Sequence, residues 1–325
     1  MKLLYHSRRD PFYNIALEEY LLKHSADEFA VLWWSDRAVV IGKHQNALAE
    51  VNYPYVYSRN IPVIRRLSGG GTVFHGPGNL NFTFIRNGVP GKLVDFKKHT
   101  APIVDFLNDA GIPARFEGKN DIRVDGLKIS GNAEHVYKQR ILHHGTLLYN
   151  ADLGLLNESI RIIPGRYKDK SVQSVRSRVA NISGFLKNAP AFEAFAKMCK
   201  EYLRAYFDID DIFLPGKNDE KAVEMLVREK YRQWSWNFGY SPDYQFNGNT
   251  HFNDSDISLS MFVKKGCIVS AAFSGIDLTP SWMALEKSLP GNRHEASVML
   301  KLLKEHHIVQ EQQQVLTAEL FALFF

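Results

Sequence analysis

Apolar runs alternate with short polar breaks along this chain, and their spacing moves between period two and period 3.6. Lys2 to Tyr5 predicts a short strand. Pro11 to His24 places Phe12, Ile15, Ala16, Leu17, Tyr20 and Leu21 near helical spacing behind the Asp10–Pro11 start signal, which reads as a core-packing helix. Phe29 to Trp34 and Ala38 to Gly42 read as strands joined by a hairpin turn at Ser35-Asp36-Arg37. Ile61 to Ile64, Thr72 to Phe74, Asn79 to Ile85 and Ile141 to Tyr149 are further strands. Ala114 to Gly131 reads as strand, turn, strand, with Asp125-Gly126 as the turn. Helical period marks Leu93 to Ala110, which stops before Gly111-Ile112-Pro113, and also Phe192 to Tyr206 and Asp219 to Tyr231. Beyond Trp234 the composition shifts. Short strands (Asp256 to Val263, Cys267 to Ser274) precede two helical stretches, His294 to His306 and Gln312 to Phe324. The pattern predicts an α/β fold with residues 1–244 as the main domain and 245–325 as a small accessory α/β domain.

Composition narrows the class. A 45% hydrophobic content over 325 residues is ample for a buried core. No run of about 18 apolar residues occurs, so no transmembrane helix is expected. Arg8, Arg9 and Asp10 stand close behind Met1 with no apolar stretch between, so no signal peptide is expected, and the expected compartment is the cytoplasm. Cys199 and Cys267 are the only cysteines, which excludes a disulfide framework and most thiolate metal sites. The net charge of +5 suits anionic substrates or an acidic protein partner, and no dense basic run with interleaved aromatics points to nucleic acid.

The chemistry concentrates in Arg65-Arg66-Leu67-Ser68-Gly69-Gly70-Gly71-Thr72-Val73-Phe74-His75. Three glycines in a row cost backbone entropy, and one compensating use is close approach of backbone N–H groups to a phosphate, with arginine supplying charge. The stretch is neither a Walker A loop nor a Rossmann fingerprint, because no Lys-Ser/Thr and no helix start follow the glycines. Downstream, Lys128 lies in Lys-Ile-Ser-Gly, where Ser130, Gly131 and Ala133 leave room beside it. Asn120-Asp121 suits a turn or, through its carboxylate, a hard cation. His143 and His144 are strand neighbours and must face opposite sides, which favours orientation or packing over metal binding.

Together these stretches resemble the lipoate–protein ligases, within the biotin and lipoate protein ligase group. The resemblance runs from Arg65–His75 through Gly118-Lys119-Asn120-Asp121, Lys128 to Ala133, His143 to Leu148 and Ser174 to Val179, to Trp234 to Gly239, in that order over nearly the whole chain. It implies the fold of class II synthetases and biotin ligases, a mixed sheet flanked by helices. It implies an ATP-dependent ligase that activates lipoate as lipoyl-AMP and transfers it to a lysine of acceptor domains, such as 2-oxoacid dehydrogenase E2 subunits or the glycine-cleavage H protein.

On that resemblance, Lys128 is the catalytic residue. Arg66, Gly70, Gly71, Thr72, Val73, Phe74, Asn120, Asp121 and Lys128 bind ATP or the adenylate, and Lys128, Arg66, Gly71 and His75 bind lipoate. Ser174, Val175, Arg176 and Ser177 belong to the adenylate loop, and the Gly42 to Asn46 connection lies beside the acyl pocket. Mg2+ accompanies ATP, with Asp121 as its expected ligand, and no tightly bound prosthetic group is implied. The expected state is a monomer. One departure is Gly76, where the family usually has Asp. His75-Gly76-Pro77-Gly78 resembles the turn of the related octanoyltransferases, and the alternative reading is therefore a transferase using a preformed acyl donor. Those enzymes use a cysteine nucleophile, and neither Cys199 nor Cys267 lies in a matching motif.

Overall fold

The computed structural model describes every residue except 90, 92, 253–254 and 276–278. The chain divides into two compact units. One comprises Met1–Lys43, Pro62–Glu158 and Ser174–Gln233, and the other His44–Ile61, Ser159–Gln173 and Trp234–Phe325. The division is discontinuous, where the composition shift suggests a single break at 244/245. Two short segments, 44–61 and 159–173, cluster with the C-terminal residues rather than with their sequence neighbours.

The first unit is built on a seven-stranded mixed sheet. Its strands and those of a smaller sheet are β1 (Lys2–Tyr5), β2 (Phe29–Trp33), β3 (Ala38–Ile41), β4 (Val63–Arg65), β5 (Val73–His75), β6 (Asn79–Asn87), β7 (Arg115–Glu117), β8 (Asp121–Val124), β9 (Leu127–Tyr137) and β10 (Arg140–Leu148). The large sheet runs β1-β2-β6-β10-β9-β8-β7, and β4-β3-β5 form a separate three-stranded sheet. The hairpin expected across Ser35-Asp36-Arg37 therefore does not form. β2 pairs with β1 and β6, whereas β3 pairs with β4 and β5. Both strands are buried throughout, so neither has the solvent face a hairpin at the rim would present. The Asp125-Gly126 turn does form, with φ of 50° and 75°, the left-handed geometry that tight antiparallel turns need.

The longer helices of this unit are α1 (Pro11–His24), α2 (Phe96–Asp109), α3 (Phe192–Tyr206) and α4 (Lys217–Leu226), the last continued by a π turn over Val227–Tyr231. The Asp10 carboxylate accepts from the Phe12 and Tyr13 amides and starts α1 as the sequence suggests. α1 is more than a packing element, because Asn14, Glu18 and Glu19 are buried on it. Each has partners. Asn14 donates to the Arg8 and Trp34 carbonyls, and Glu19 accepts from Lys23, Lys230 and Tyr231. The core packs Phe82, Phe84, Phe106, Phe195, Leu107 and Leu203 between sheet and helices.

The second unit holds an antiparallel sheet of β11 (Tyr167–Asp169), β12 (Tyr244–Phe252), β13 (Ser255–Lys264) and β14 (Cys267–Ser274), in that order. Helices α5 (Pro280–Ser288), α6 (Ala296–Glu305) and α7 (Ala318–Phe324) accompany it. β12 and β13 alternate buried and exposed positions along most of their length, so one face is apolar and the other polar.

Candidate functional site

The glycine loop, Arg66 to Thr72, connects β4 to β5 and is shaped from inside by two buried arginines. Arg65 donates to the Gly42 and Lys43 carbonyls at 3.1 and 3.0 Å. Arg66 donates from Nη2 to the Gly69 and Gly71 carbonyls at 2.6 and 2.7 Å, and from Nη1 to the Val40 carbonyl at 3.1 Å. The glycines make close approaches within the protein itself. A methyl group on Gly42 would lie 2.1 Å from the Gly70 carbonyl oxygen, and Gly70 itself has φ of 83°. With the carbonyls of Gly69 and Gly71 turned to Arg66, the loop's shape is set by this side chain. Arg66 is thus engaged by the loop.

Lys128 opens β9. Its ammonium pairs with Asp121 Oδ1 at 2.8 Å, and Arg123 holds Asp121 Oδ2 at 2.7 Å. A methyl group on Gly131 would sit 2.9 Å from both Cε and Nζ of Lys128, so this glycine makes the space the lysine occupies. Asn120 faces elsewhere. Its amide donates to the Asn132 carbonyl, while its own carbonyl accepts from the Asn132 backbone and side chain, which ties β9 to the β7–β8 connection.

A segment from Ser174 to Ala180 joins these parts. Ser174 Oγ accepts from the Thr72 amide at 2.8 Å, and Ser177 Oγ accepts from Arg123 at 3.3 Å. Val179 bridges in parallel to Lys128, whose amide donates to the Arg178 carbonyl at 2.9 Å. Val175 is 88% exposed, and Arg176 is exposed beside it. The structure therefore brings together Gly71, Thr72, Asp121, Lys128, Ser174 and Ser177. Val73 and Phe74 lie on β5, with Phe74 buried. His75 is buried edge-on to Trp33, and burial, with Arg66 and His144 adding to it, lowers its imidazole to about 3. Gly76 lies against the Phe74 ring, where a methyl group would meet Cε1 at 3.1 Å. In the second unit, Asn46 donates to Asp169 at 2.9 Å.

His143 and His144 do face opposite sides of β10. His143 Nδ1 and His99 Nδ1, from α2, both approach Glu134 Oε1 at 2.9 Å. Among the described residues, these three form a group with ligand atoms within 4.8 Å of one another, joined through hydrogen bonds to Oε1. Burial pushes the Glu134 carboxyl up, but the bonds from His143 and His99 outweigh it and bring it to about 2. His144 faces Ser68 and Glu18. Sequence reading does not name Glu18, His99, Arg123 or Glu134. Glu18 carries the clearest signal, an acidic residue on the apolar stripe of α1. Asp121 does not fit a divalent cation as folded, since both of its oxygens are held by cationic side chains. Cys199 is fully buried in α3, and burial pushes its thiol up, the opposite of an activated nucleophile.

Residues 10–204 match the family described as the lipoyl protein ligase A/B catalytic domain. Lipoate–protein ligase 1 of Staphylococcus aureus is 38% identical over 306 residues, covering 92% of this chain and 92% of that protein. A solved structure of lipoate-protein ligase A bound with ATP superposes with a TM-score of 0.63 at 25% identity, over 74% of this chain and 98% of that one. A bipartite lipoate protein ligase from Thermoplasma acidophilum, solved in a study of that ligase and its E2 lipoyl domain, gives the same TM-score and identity over 74% and 96%.

Proposed function

The chain belongs to the lipoyl protein ligase A/B family, and from that premise we propose that it joins lipoate to protein lysines in two steps at one site in the first unit. Lipoate's carboxylate attacks the α-phosphate of ATP, pyrophosphate leaves, and the mixed anhydride lipoyl-AMP remains bound. The ε-amine of an acceptor lysine then attacks the carbonyl carbon, AMP leaves, and an amide forms. The observation that carries this reading is the convergence of the Arg66-braced glycine loop, the Lys128–Asp121 pair and the Ser174–Ala180 segment.

Each residue has a physical task. Two anions must meet in the first step, and the Lys128 ammonium offsets their repulsion and the charge that builds on the phosphate. The N–H groups of Gly70, Gly71 and Thr72 face the phosphates, with Val73 and Phe74 as the adjoining wall. The Thr72 amide exchanges Ser174 Oγ for a phosphate oxygen. Arg66 acts through the loop it shapes and His75 through the wall behind it, beside the acyl chain. Asp121 and Asn120 position the strand pair that carries Lys128. Ser174 to Ser177 close over the adenylate and keep water from the anhydride. Mg2+ enters as the ATP complex, with no protein ligand assigned. The acceptors are lipoyl domains of E2 subunits and the glycine-cleavage H protein, met by a monomer in the cytoplasm. Among the described residues no helix is long and apolar enough to cross a membrane. Residues 245–325 act as the accessory part.

The test is a mass assay with the protein, Mg-ATP, lipoate and an apo lipoyl domain. A gain of one lipoyl group, lost when ATP is omitted, supports the complete ligase. Gain from synthetic lipoyl-AMP but not from ATP plus lipoate favours the second reading, transfer from a preformed donor, to which the Gly76 turn points. A thioester route through Cys199 is disfavoured by its burial.

A further inference from the structure

Four hydrogen bonds run in series from the glycine loop to the first helix. Arg66 Nε donates to Ser68 Oγ at 2.9 Å. Ser68 Oγ meets His144 Nε2 at 2.7 Å. His144 Nδ1 meets Glu18 Oε2 at 2.9 Å, and Thr83 Oγ1 donates to Glu18 Oε1. The line joins the loop, β10, α1 and β6, elements far apart in sequence and adjacent only because β10 pairs His144 with Thr83.

The order serine, imidazole, carboxylate matches that of a nucleophilic relay, but its task here is different. Ser68 is 0% exposed and its oxygen already accepts from Arg66, so no substrate carbonyl reaches it. Donor bookkeeping then fixes the direction of the line. The Glu18 carboxylate can only accept, so the imidazole proton of His144 sits on Nδ1 and goes to it. Nε2 of that ring is then an acceptor and takes the Ser68 hydroxyl proton, while Ser68 Oγ accepts from Arg66 Nε. Every group in the line is satisfied with a neutral imidazole and an ionised carboxylate.

Arg66 supplies the reason such a line is needed. It is a buried cation that donates to a hydroxyl and to neutral carbonyls. Burial lowers its guanidinium to about 10, and Glu18 is the opposing charge that holds it up. A buried charge needs both hydrogen bonds and compensation. The carbonyls supply the first, and Glu18 supplies the second at the far end of the line.

We propose that Glu18 and His144 are positioning residues for the nucleotide-binding loop: through Ser68 they fix Arg66, and through Arg66 they fix the orientation of the Gly69–Gly71 backbone toward the ATP phosphates. This rests on the adenylating reading above. It separates the two half-reactions. ATP with its leaving pyrophosphate depends on the loop, whereas transfer from ready-made lipoyl-AMP no longer involves the β- and γ-phosphates.

The experiment uses the full chain with Glu18→Gln, His144→Phe and His144→Gln, the last keeping one donor and one acceptor. Loss of a hydrogen bond to a charged group corresponds to about a tenfold effect or more. Glu18→Gln and His144→Phe are therefore expected to raise KM for ATP about tenfold or more in lipoate-dependent pyrophosphate exchange. Lipoyl transfer from synthetic lipoyl-AMP stays within about threefold, and His144→Gln recovers most of the loss. Unchanged KM for ATP in either folded variant, or equal loss of exchange and transfer, overturns the proposal. Should the variants not fold, nitrogen-15 spectra of the wild-type histidines decide it, because the line requires Nδ1–H and unprotonated Nε2 at His144, and the opposite tautomer overturns it. A wild type that shows no exchange refutes the adenylating reading, while the tautomer measurement still judges the line itself.

Discussion

The seven-stranded sheet of the first unit and the four-stranded sheet of the second bury their side chains differently, and the chemistry follows the difference. In the large sheet, β6 is buried from Asn79 to Ile85 without alternation, so polar side chains on either face are enclosed and must find partners there. Thr83, His143, His144, Glu18 and Glu134 are joined in two networks on opposite faces of β10, with His143 Nε2 and Glu134 Oε2 left without a hydrogen bond. In the second unit, β12 and β13 turn their polar residues outward, where water satisfies them, and a buried polar pair at β12 is Tyr244 with His294 at 2.8 Å. A sheet covered on both faces can hold ionised groups at fixed distances in a low dielectric, where they act strongly. A sheet covered on one face is stable without that ability.

The largest effect expected from this contrast is at Lys128. Lys128→Ala should lower lipoate-dependent pyrophosphate exchange by about a hundredfold or more, while stability changes by about 1 kcal/mol or less, as for other partly exposed ion pairs. Thermal unfolding and exchange on the same sample check both halves.

Glycines sharpen the comparison further. Gly131→Ala presses on the flexible end of Lys128, at 2.9 Å, so the ammonium shifts and the fold does not. Exchange should fall about tenfold to a hundredfold from misplacement alone, with an unchanged melting temperature. Gly248→Ala in β12 meets the Leu323 carbonyl at 2.0 Å, a backbone atom that cannot swing away. It should destabilise by about 1–3 kcal/mol and leave KM for ATP unchanged. Activity loss without stability loss at Gly248 would break the distinction.

The smallest effect is acid sensitivity. Burial is the leading cause that lowers His6, His75, His135 and His143 in the first unit to about 4, 3, 4 and 4, and His294 in the second to about 4. Each folded value lies below the unfolded one, so the unfolded chain takes up protons first as pH falls. The stability is fully present above about 6.5 and is lost as pH drops toward 4. With four such groups against one, amide protection in β5, β6 and β10 should decline faster between pH 7 and pH 5 than protection in β12 and β13. Hydrogen exchange read segment by segment tests this.

What the sequence makes legible is local. The Asp125-Gly126 turn, the Asp10 cap and the mutual opposition of His143 and His144 depend on neighbours in the chain. β12 is missed although Tyr244, Phe246 and Gly248 alternate inward, because the intervening Gln245, Asn247 and Asn249 make the run look like a loop. The false hairpin between β2 and β3 has the same root, since strand pairing is decided by distant partners. The site divides along that line. Lys128 and the glycine loop stand out by their motifs, whereas the internal engagement of Arg66 depends on tertiary packing and the grip of Lys128 and Arg123 on Asp121 depends on the register of the β8–β9 hairpin. Glu18 meets His144 across 126 positions of sequence, and no local pattern encodes that meeting.

The central claim is that this chain activates lipoate with ATP. Lipoate-dependent exchange of labelled pyrophosphate into ATP by the wild-type protein, with no acceptor present, tests it most directly. The account predicts exchange that saturates with both ATP and lipoate and vanishes without lipoate. An active preparation that transfers from lipoyl-AMP yet shows no exchange would contradict it.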